Sequence, residues 1–341
     1  MLNRSAARRH HDPEDVITAT IRDVAAAAGV SPATVSRAFG RPEKVDESTR
    51  RRIVEAAERL GYQPNRAAQS LTTGRTGNIG IMVPDLANPF FTSVLKGAQH
   101  QANRLGHPVL LADTEEDPSA ELRFSRALAQ QVDGLVLCGS LMSDDEVLQI
   151  SRLRPLVLVN RQVPKLPAIT VDNAGGARQA VTHLRALGHR RIGYVAGPPG
   201  SYSNAERYQA VSEHAEGAGL ECVPVGHFEP SFEGGRGAAD QVLLAGVSAV
   251  VVYNDVMALG LVNQLVAYGV AVPAEISVVG FDDIPIAAMF TPALTTVRIP
   301  REQAGGAAVA HLHALLTGGR PVPPPDLTTE LVVRGTTARS R

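Results

Sequence analysis

The chain has 341 residues, 44% hydrophobic and 20% charged, a length too great for one small core and suited to two or three domains. No apolar run reaches the roughly eighteen residues of a membrane span, and the charged start Met1 to His11 has no hydrophobic segment behind it. Neither a membrane span nor export is therefore expected, and the chain is expected to be cytoplasmic. The net charge of −1 hides an asymmetry: Thr20 to Arg75 holds ten Arg or Lys against six Asp or Glu, a net +4, while residues 1–19 balance and the remainder is acidic. A basic head on an acidic body fits one domain on a polyanion and another kept off it.

Residues 1–19 lack apolar periodicity and are read as a disordered tail. Thr20 followed by Asp23 marks a helix start, with Ile21, Val24, Ala25 and Ala28 on one side. Gly29 suits the positive φ of a sharp stop, and Ser31 with Pro32 opens a second helix as N-cap and first residue. Helix, tight turn and helix within about twenty residues is helix-turn-helix spacing. The second helix carries Ser31, Thr34, Ser36 and Arg37, donors suited to phosphates and base edges, where an ordinary helical hairpin would show Glu and Lys. A third helix opens at Val45–Ser48 and runs to Leu60. Its stripe of Ile53, Ala56, Ala57 and Leu60 can close a three-helix core, leaving Arg50, Arg51, Arg52 and Arg59 for solvent or phosphate. Residues 63–75 form a linker with a turn or two of helical potential, too short to be helical unless something packs against it.

From Asn78 the texture changes to short apolar runs: 79–84, 109–112, 134–138, 156–159, 192–196, 249–253 and 276–280. Helical patterns such as 91–105 and 177–187 lie between them. Strand and helix in alternation predict doubly wound parallel sheets covered on both faces, and two such sheets rather than one oversized one. The break is placed near Asp172, giving two lobes with a cleft.

Ligands of open α/β sheets sit at the carboxyl ends of strands. Those ends read Pro84 to Phe91, Val159-Asn160-Arg161, Val171-Asp172-Asn173, Gly197 to Ser203, Tyr253-Asn254-Asp255 and Gly280 to Asp283. Amides, carboxylates and hydroxyls beside two phenylalanines suit a polyol or sugar. Asp172 and Asp255 are read as helix caps. Cys138 and Cys222 belong to no ligand-spaced cluster and are read as packed thiols, and His183 and His189 as structural.

With these motifs on the page, the chain resembles the LacI/GalR family of bacterial transcriptional repressors from Thr20 to about Thr336. The resemblance rests on Asp23-Val-Ala-x-x-Ala-Gly-Val-Ser-x-x-Thr-Val-Ser-Arg37, Gly61-Tyr-x-Pro-Asn65, Val83-Pro-Asp-x-x-Asn-Pro-Phe-Phe91 and Leu187-Gly-His189. It also rests on Asn254-Asp255-x-Met-Ala-Leu-Gly260, Ile276-Ser-Val-Val-Gly-Phe-Asp-Asp283 and Leu294-Thr-Thr-Val297. It implies a homodimer that binds a palindromic double-stranded DNA operator through a helix-turn-helix domain at 20–62, with a hinge helix and linker at 63–75. It also implies a two-lobed core similar to periplasmic sugar-binding proteins over 76–337. The N-lobe would take about 76–171 and 299–328, the C-lobe about 172–298 and 329–337.

Carried over by position, Pro32, Ala33 and Arg37 fall where the family reads bases, Arg37 being able to pair bidentately with a guanine. Thr20, Ser31, Thr34, Ser36 and Asn65 fall at phosphate-facing positions, and Lys44 in a loop that approaches DNA. Ala68 and Leu71 belong to the hinge; Leu71 matches the leucine that wedges into the minor groove, and its other reading is a linker leucine at the dimer contact. In the cleft Arg207, Asn254 and Asp282 match the ligand-binding trio, with Phe90 and Phe91 at the lip, Asn160 as another first-lobe contact and Ser203 one turn before Arg207. Phe228 is offered as the stacking aromatic, although its spacing to Gly234-Gly235 departs from the family pattern.

Other departures are Gly40 where Asn is frequent and Ile299 where a Gln commonly follows. Residues 334–341 carry no leucine heptads, which argues for a dimer over a tetramer. The effector is expected to be a sugar or sugar derivative, and no catalytic, metal or cofactor residues are assigned. Two rivals are a sugar-uptake receptor, which would need export, and an α/β enzyme. The latter has only Gly217-Ala-Gly219 as a fragment of a dinucleotide fingerprint.

Overall fold

The computed structural model describes residues 19–41, 44–63, 74–319, 323 and 325–340. Residues 1–18 of the tail expected over 1–19, and the hinge residues Asn65, Ala68 and Leu71, lie outside the described residues. The chain divides into a unit ending at Thr76 and a second beginning at Gly77.

The first unit contains α1 (Ile21–Ala28), α2 (Pro32–Gly40) and α3 (Glu47–Leu60). The Asp23 carboxylate accepts from the Thr20 N–H at 2.8 Å and its hydroxyl at 2.7 Å, which closes the first turn of α1. Gly29 ends it at φ 66°, and Ser31 Oγ then accepts from the Thr34 N–H at 3.2 Å to start α2 on Pro32. Val24, Ala25, Ala28, Val35, Ala38, Ile53, Ala56 and Ala57 form the core. Leu60, expected in that stripe, is 38% exposed. The chain reverses at Gly61, and Tyr62 packs its ring 6.1 Å from Phe39 and covers that end of the core instead.

The second unit begins with β1 (Ile79–Val83), α4 (Pro89–Leu105), β2 (Val109–Asp113), α5 (Pro118–Leu128), β3 (Gly134–Cys138), α6 (Asp144–Ser151), β4 (Leu156–Val159) and β5 (Ala168–Ile169). Their five strands pair in parallel in the order β2-β1-β3-β4-β5. Then follow α7 (Asn173–Ala186), β6 (Arg191–Ala196), α8 (Tyr202–Gly217), β7 (Glu221–His227), α9 (Phe232–Gly237) and α10 (Ala239–Leu244). The second lobe continues with β8 (Ala249–Val252), α11 (Asp255–Ala267), β9 (Ser277–Asp282), α12 (Pro285–Met289) and β10 (Thr295–Arg298). Their sheet is ordered β11-β10-β9-β8-β6-β7, parallel except for β11 (Glu330–Val332), which runs antiparallel to β10.

Each of the seven apolar runs is a strand; β5, β7, β10 and β11 add to them. The Gly217–Gly219 fragment lies between helix α8 and strand β7. A dinucleotide fingerprint needs the reverse order, strand then helix, so the enzyme rival loses its motif.

After β10 the chain returns to the first lobe as α13 (Arg301–Thr317), which packs along α4 and against β3 and β4. The connections between lobes run side by side: the Asp172 N–H donates to Leu327 O at 3.2 Å, and Thr329 Oγ1 donates to Asp172 O at 2.9 Å. Close approach of α4 and α13 depends on two glycines. A Cβ on Gly97 would lie 1.9 Å from the carbonyl oxygen of Glu302, and one on Gly305 1.9 Å from that of Val94. Backbone cannot yield as a side chain would, so Gly305→Ala should push the helices apart and cost about 1 to 3 kcal/mol. Urea unfolding of the full chain measures this, and an unchanged midpoint would contradict it.

Candidate functional site

In the first unit α2 buries Val35 and Ala38 and leaves Ser31, Pro32, Ala33 and Arg37 exposed. The division follows from helical periodicity: residues 35 and 38 face the α1–α3 core, whereas 33 and 37 lie one turn apart on the open side. Thr34 and Ser36 are half-buried; the hydroxyls of Ser31 and Thr34 lie 2.9 Å apart, so the cap also orients Thr34. Thr20 and Lys44 are exposed, as are Arg50, Arg51, Arg52 and Arg59 along α3. The unit thus carries an open helix N-terminus with hydroxyls, one guanidinium and surrounding cations, which is the chemistry that phosphates and base edges require.

In the second unit the carboxyl ends of the strands meet in a cleft between the lobes. Phe90, Phe91 and Asn160 from the first lobe and Ser203, Arg207, Asn254 and Asp282 from the second line one inner cavity of about 20 Å³. Seven of the eight expected effector residues are thereby brought together. Phe228 is not among them: it lines an adjoining outer chamber of about 750 Å³ with Asp85, Glu115, Glu116, His227 and Pro230. The register shift in β7 beside Val195, followed by Gly226 at φ 140°, carries Phe228 past the inner cavity. Glu116 and Pro230 line both spaces, so the two adjoin.

Arg207 is the centre of the inner cavity. It is buried, and each nitrogen of its guanidinium makes one hydrogen bond: Nε donates to Asn173 Oδ1 at 3.0 Å, Nη1 to Tyr253 O at 2.6 Å and Nη2 to Asp282 Oδ1 at 3.3 Å, which leaves a second N–H on each Nη. Its plane lies 4.0 Å from the Phe281 ring centre. Asn173 also donates to Glu206 Oε2 at 2.8 Å and, at 3.3 Å, to Asn160 Oδ1 across the cleft. Burial pushes the Asp282 carboxyl up to about 6, opposed by Arg207 and Arg301. Asp282 sits at φ 116°, and Asn160, Glu115 and Glu116 also have positive φ, so strained backbone gathers around the cleft.

Asp172 caps α7, accepting from the Gly175 N–H at 2.8 Å. Asp255 does not cap: the N-cap of α11 is Asn254, whose Oδ1 accepts from the Met257 N–H at 2.9 Å and whose amide NH2 is what it can offer the cavity. Asp255 is fully buried beneath β9, where it accepts from the Ile284 N–H at 2.9 Å and from the Thr296 hydroxyl. Burial and the Asp282 charge hold its carboxyl well above the usual range. It braces the turn that presents Asp282. Sequence reasoning assigned no role to Tyr253, Asn173, Glu206 or Glu116, although Tyr253 and Asn173 both stand at strand ends. Burial and the Asp85, Glu121 and Asp113 charges push Glu116 up to about 7.

His183 and His189 bond Thr337, Ser248 and Ala338 on the far side of the second lobe and tie down the C-terminal residues. Cys138 and Cys222 are free, with burial pushing their thiols up to about 12 and about 11. Among the described residues no helix is long and apolar enough to cross a membrane.

Comparison with known proteins supplies the context for both units. Residues 20–65 match the model for bacterial regulatory proteins of the lacI family, and residues 181–337 that for a periplasmic binding protein-like domain. The HTH-type transcriptional repressor CytR of Escherichia coli (strain K12) is 34% identical over 328 residues, covering 94% of this chain and 96% of that protein. The crystal structure of the Lac repressor dimer bound to operator and the anti-inducer ONPF superposes with a TM-score of 0.80 at 30% identity, covering 94% of this chain and 99% of that one. A transcriptional regulator CelR–cellobiose complex superposes at 0.69 with 31% identity, covering 93% and 99%. This chain, with its helix-turn-helix unit and two-lobed core, belongs to the LacI family of bacterial regulatory proteins.

Proposed function

We propose that this DNA-binding regulator acts as a homodimeric transcriptional repressor in the cytoplasm, and that a sugar or sugar derivative bound between its lobes controls its operator affinity. The observation that carries this reading is the pairing, in one chain, of an open recognition face on α2 with a cleft whose floor is a buried Arg207–Asp282 ion pair. Among the similar proteins, the Lac repressor dimer is described on its operator and CelR with cellobiose; both support carrying these partners over.

Arg37 is assigned to a base edge, with Pro32 and Ala33 beside it making apolar contact. Thr20, Ser31, Thr34, Ser36 and Lys44 are assigned to the backbone. Asn65, Ala68 and Leu71 are assigned to DNA by position in the family alone. In the cleft Arg207 donates to effector oxygens, Asp282 accepts from its hydroxyls, Asn254 donates through its amide, and Asn160, Ser203, Phe90 and Phe91 complete the lining. Phe228 covers an apolar face of the effector from the outer chamber. An effector that binds one lobe arrangement better shifts the population toward it, and the dimer then presents its recognition helices at a different separation.

Arg37→Ala should cost about 1 to 3 kcal/mol of operator binding and relax specificity at one base position. Fluorescence anisotropy on a set of single-base operator variants reads this, and an equal loss on every sequence would remove Arg37 from base readout. Asp282 supplies a second check through pH. Its carboxyl, raised to about 6, is ionised at pH 7.5 and largely protonated at pH 5, so effector affinity should fall as the pH drops through that window. Asp282→Asn should lack both the response and its pH dependence while still binding operator. Retained effector control in that variant, followed by titration calorimetry and operator release, would exclude Asp282 from the site.

A further inference from the structure

Tyr253 occupies the floor of the inner cavity. Its hydroxyl lies 3.2 Å from Ser201 Oγ and 3.3 Å from Ser203 Oγ, its carbonyl receives Arg207 Nη1, and its ring centre lies 5.2 Å from the guanidinium carbon. Gly197 makes room for it: a Cβ there would fall 2.4 Å from the tyrosine ring. What remains is about 20 Å³, space for about one water, whereas a monosaccharide ring needs several times as much. The adjoining chamber of about 750 Å³, walled by Phe228, Pro198, Pro199 and Pro230, has ample room.

We propose that Tyr253 sets the size of effector this cleft accepts, its ring standing where a compact sugar ring would sit. The bulk of the effector then lies in the outer chamber under Phe228, and only a small terminal group reaches Arg207 and Asp282. This rests on the effector reading above and adds the class of ligand: one with a narrow polar end and a larger body, instead of a free monosaccharide. The anchored hydroxyl and the glycine behind the ring hold the plug in place from two sides, so it does not yield to a weakly bound sugar as a free surface tyrosine would.

The test is isothermal titration of the full chain with free D-ribose, D-glucose and D-galactose. Tyr253→Ala is expected to bind at least one of them fivefold or more tighter than the unmodified protein, while Tyr253→Phe, which keeps the ring, behaves as the unmodified protein does. A smaller gain on all three sugars, including no binding to either protein, overturns the proposal, as does a Phe variant that gains as much as the Ala variant. Operator binding and the unfolding midpoint are measured alongside. If Tyr253→Ala does not fold, Tyr253→Val takes its place, since it too removes the ring and should give a gain in the same direction. Loss of operator binding by the unmodified protein would count against the regulator reading and leave the size measurement standing.

Discussion

The cleft depends on one buried ion pair. Desolvating a guanidinium and a carboxylate costs several kcal/mol per ion, and their attraction compensates only when the remaining hydrogen-bonding positions are filled. Arg207 meets that condition through Asn173, the Tyr253 carbonyl and the Phe281 face, and Asp282 faces it as the anion, although burial raises its carboxyl to about 6. A second buried carboxyl, Asp255, lies beneath the same turn, where burial and the Asp282 charge raise it well above the usual range, and it braces the turn by accepting from the Ile284 N–H. The result is a charged floor at the end of a sheet, and a ligand seated there would meet the remaining N–H groups of Arg207, the Asp282 carboxylate and the Asn254 amide.

This arrangement also explains how lobe geometry and ligand are connected. The first lobe contributes little polar grip to the floor beyond Asn160, which reaches Asn173 across the cleft at 3.3 Å. Connections between lobes run side by side through Asp172, Leu327 and Thr329, tied by a short hydrogen-bonded band. Two rigid lobes joined by such a band have hinge motion as their natural soft mode. The rigidity of the first lobe comes from the glycine-mediated contact of α4 with α13, which keeps the returning helix a fixed part of it.

Much of this was legible in the residues. The Ser31-Pro32 start, the Gly29 stop and the Val35/Ala38 spacing specify α2 and its open face through local chemistry alone, and the continuous Val, Ile and Leu runs specify the central strands. The elements that escaped lack such signals: β7 carries Pro224 and Gly226 and is only half-buried, β5 has two residues, β10 is short and mostly polar, and β11 has three residues. In the cleft, the residue types at strand ends were visible, but their partners were not. Asp255 reads as a cap because it opens a helix, and only the arrival of Ile284 from the turn after β9 and of Thr296 from β10 gives it another role. The place of Phe228 in the outer chamber was hidden for a similar reason, since a register shift in its strand cannot be seen in the order of residues.

Linkage gives the most direct test of the central claim that cleft occupancy and operator binding are two sides of one equilibrium. If a cleft ligand changes operator affinity by some factor, operator must change ligand affinity by the same factor. The measurement is titration of the sugar or glycoside that most stabilises the protein, with and without saturating palindromic operator. The expected result is a dissociation constant shifted by the factor that the same ligand imposes on operator binding, and an identical constant in both titrations would contradict the account.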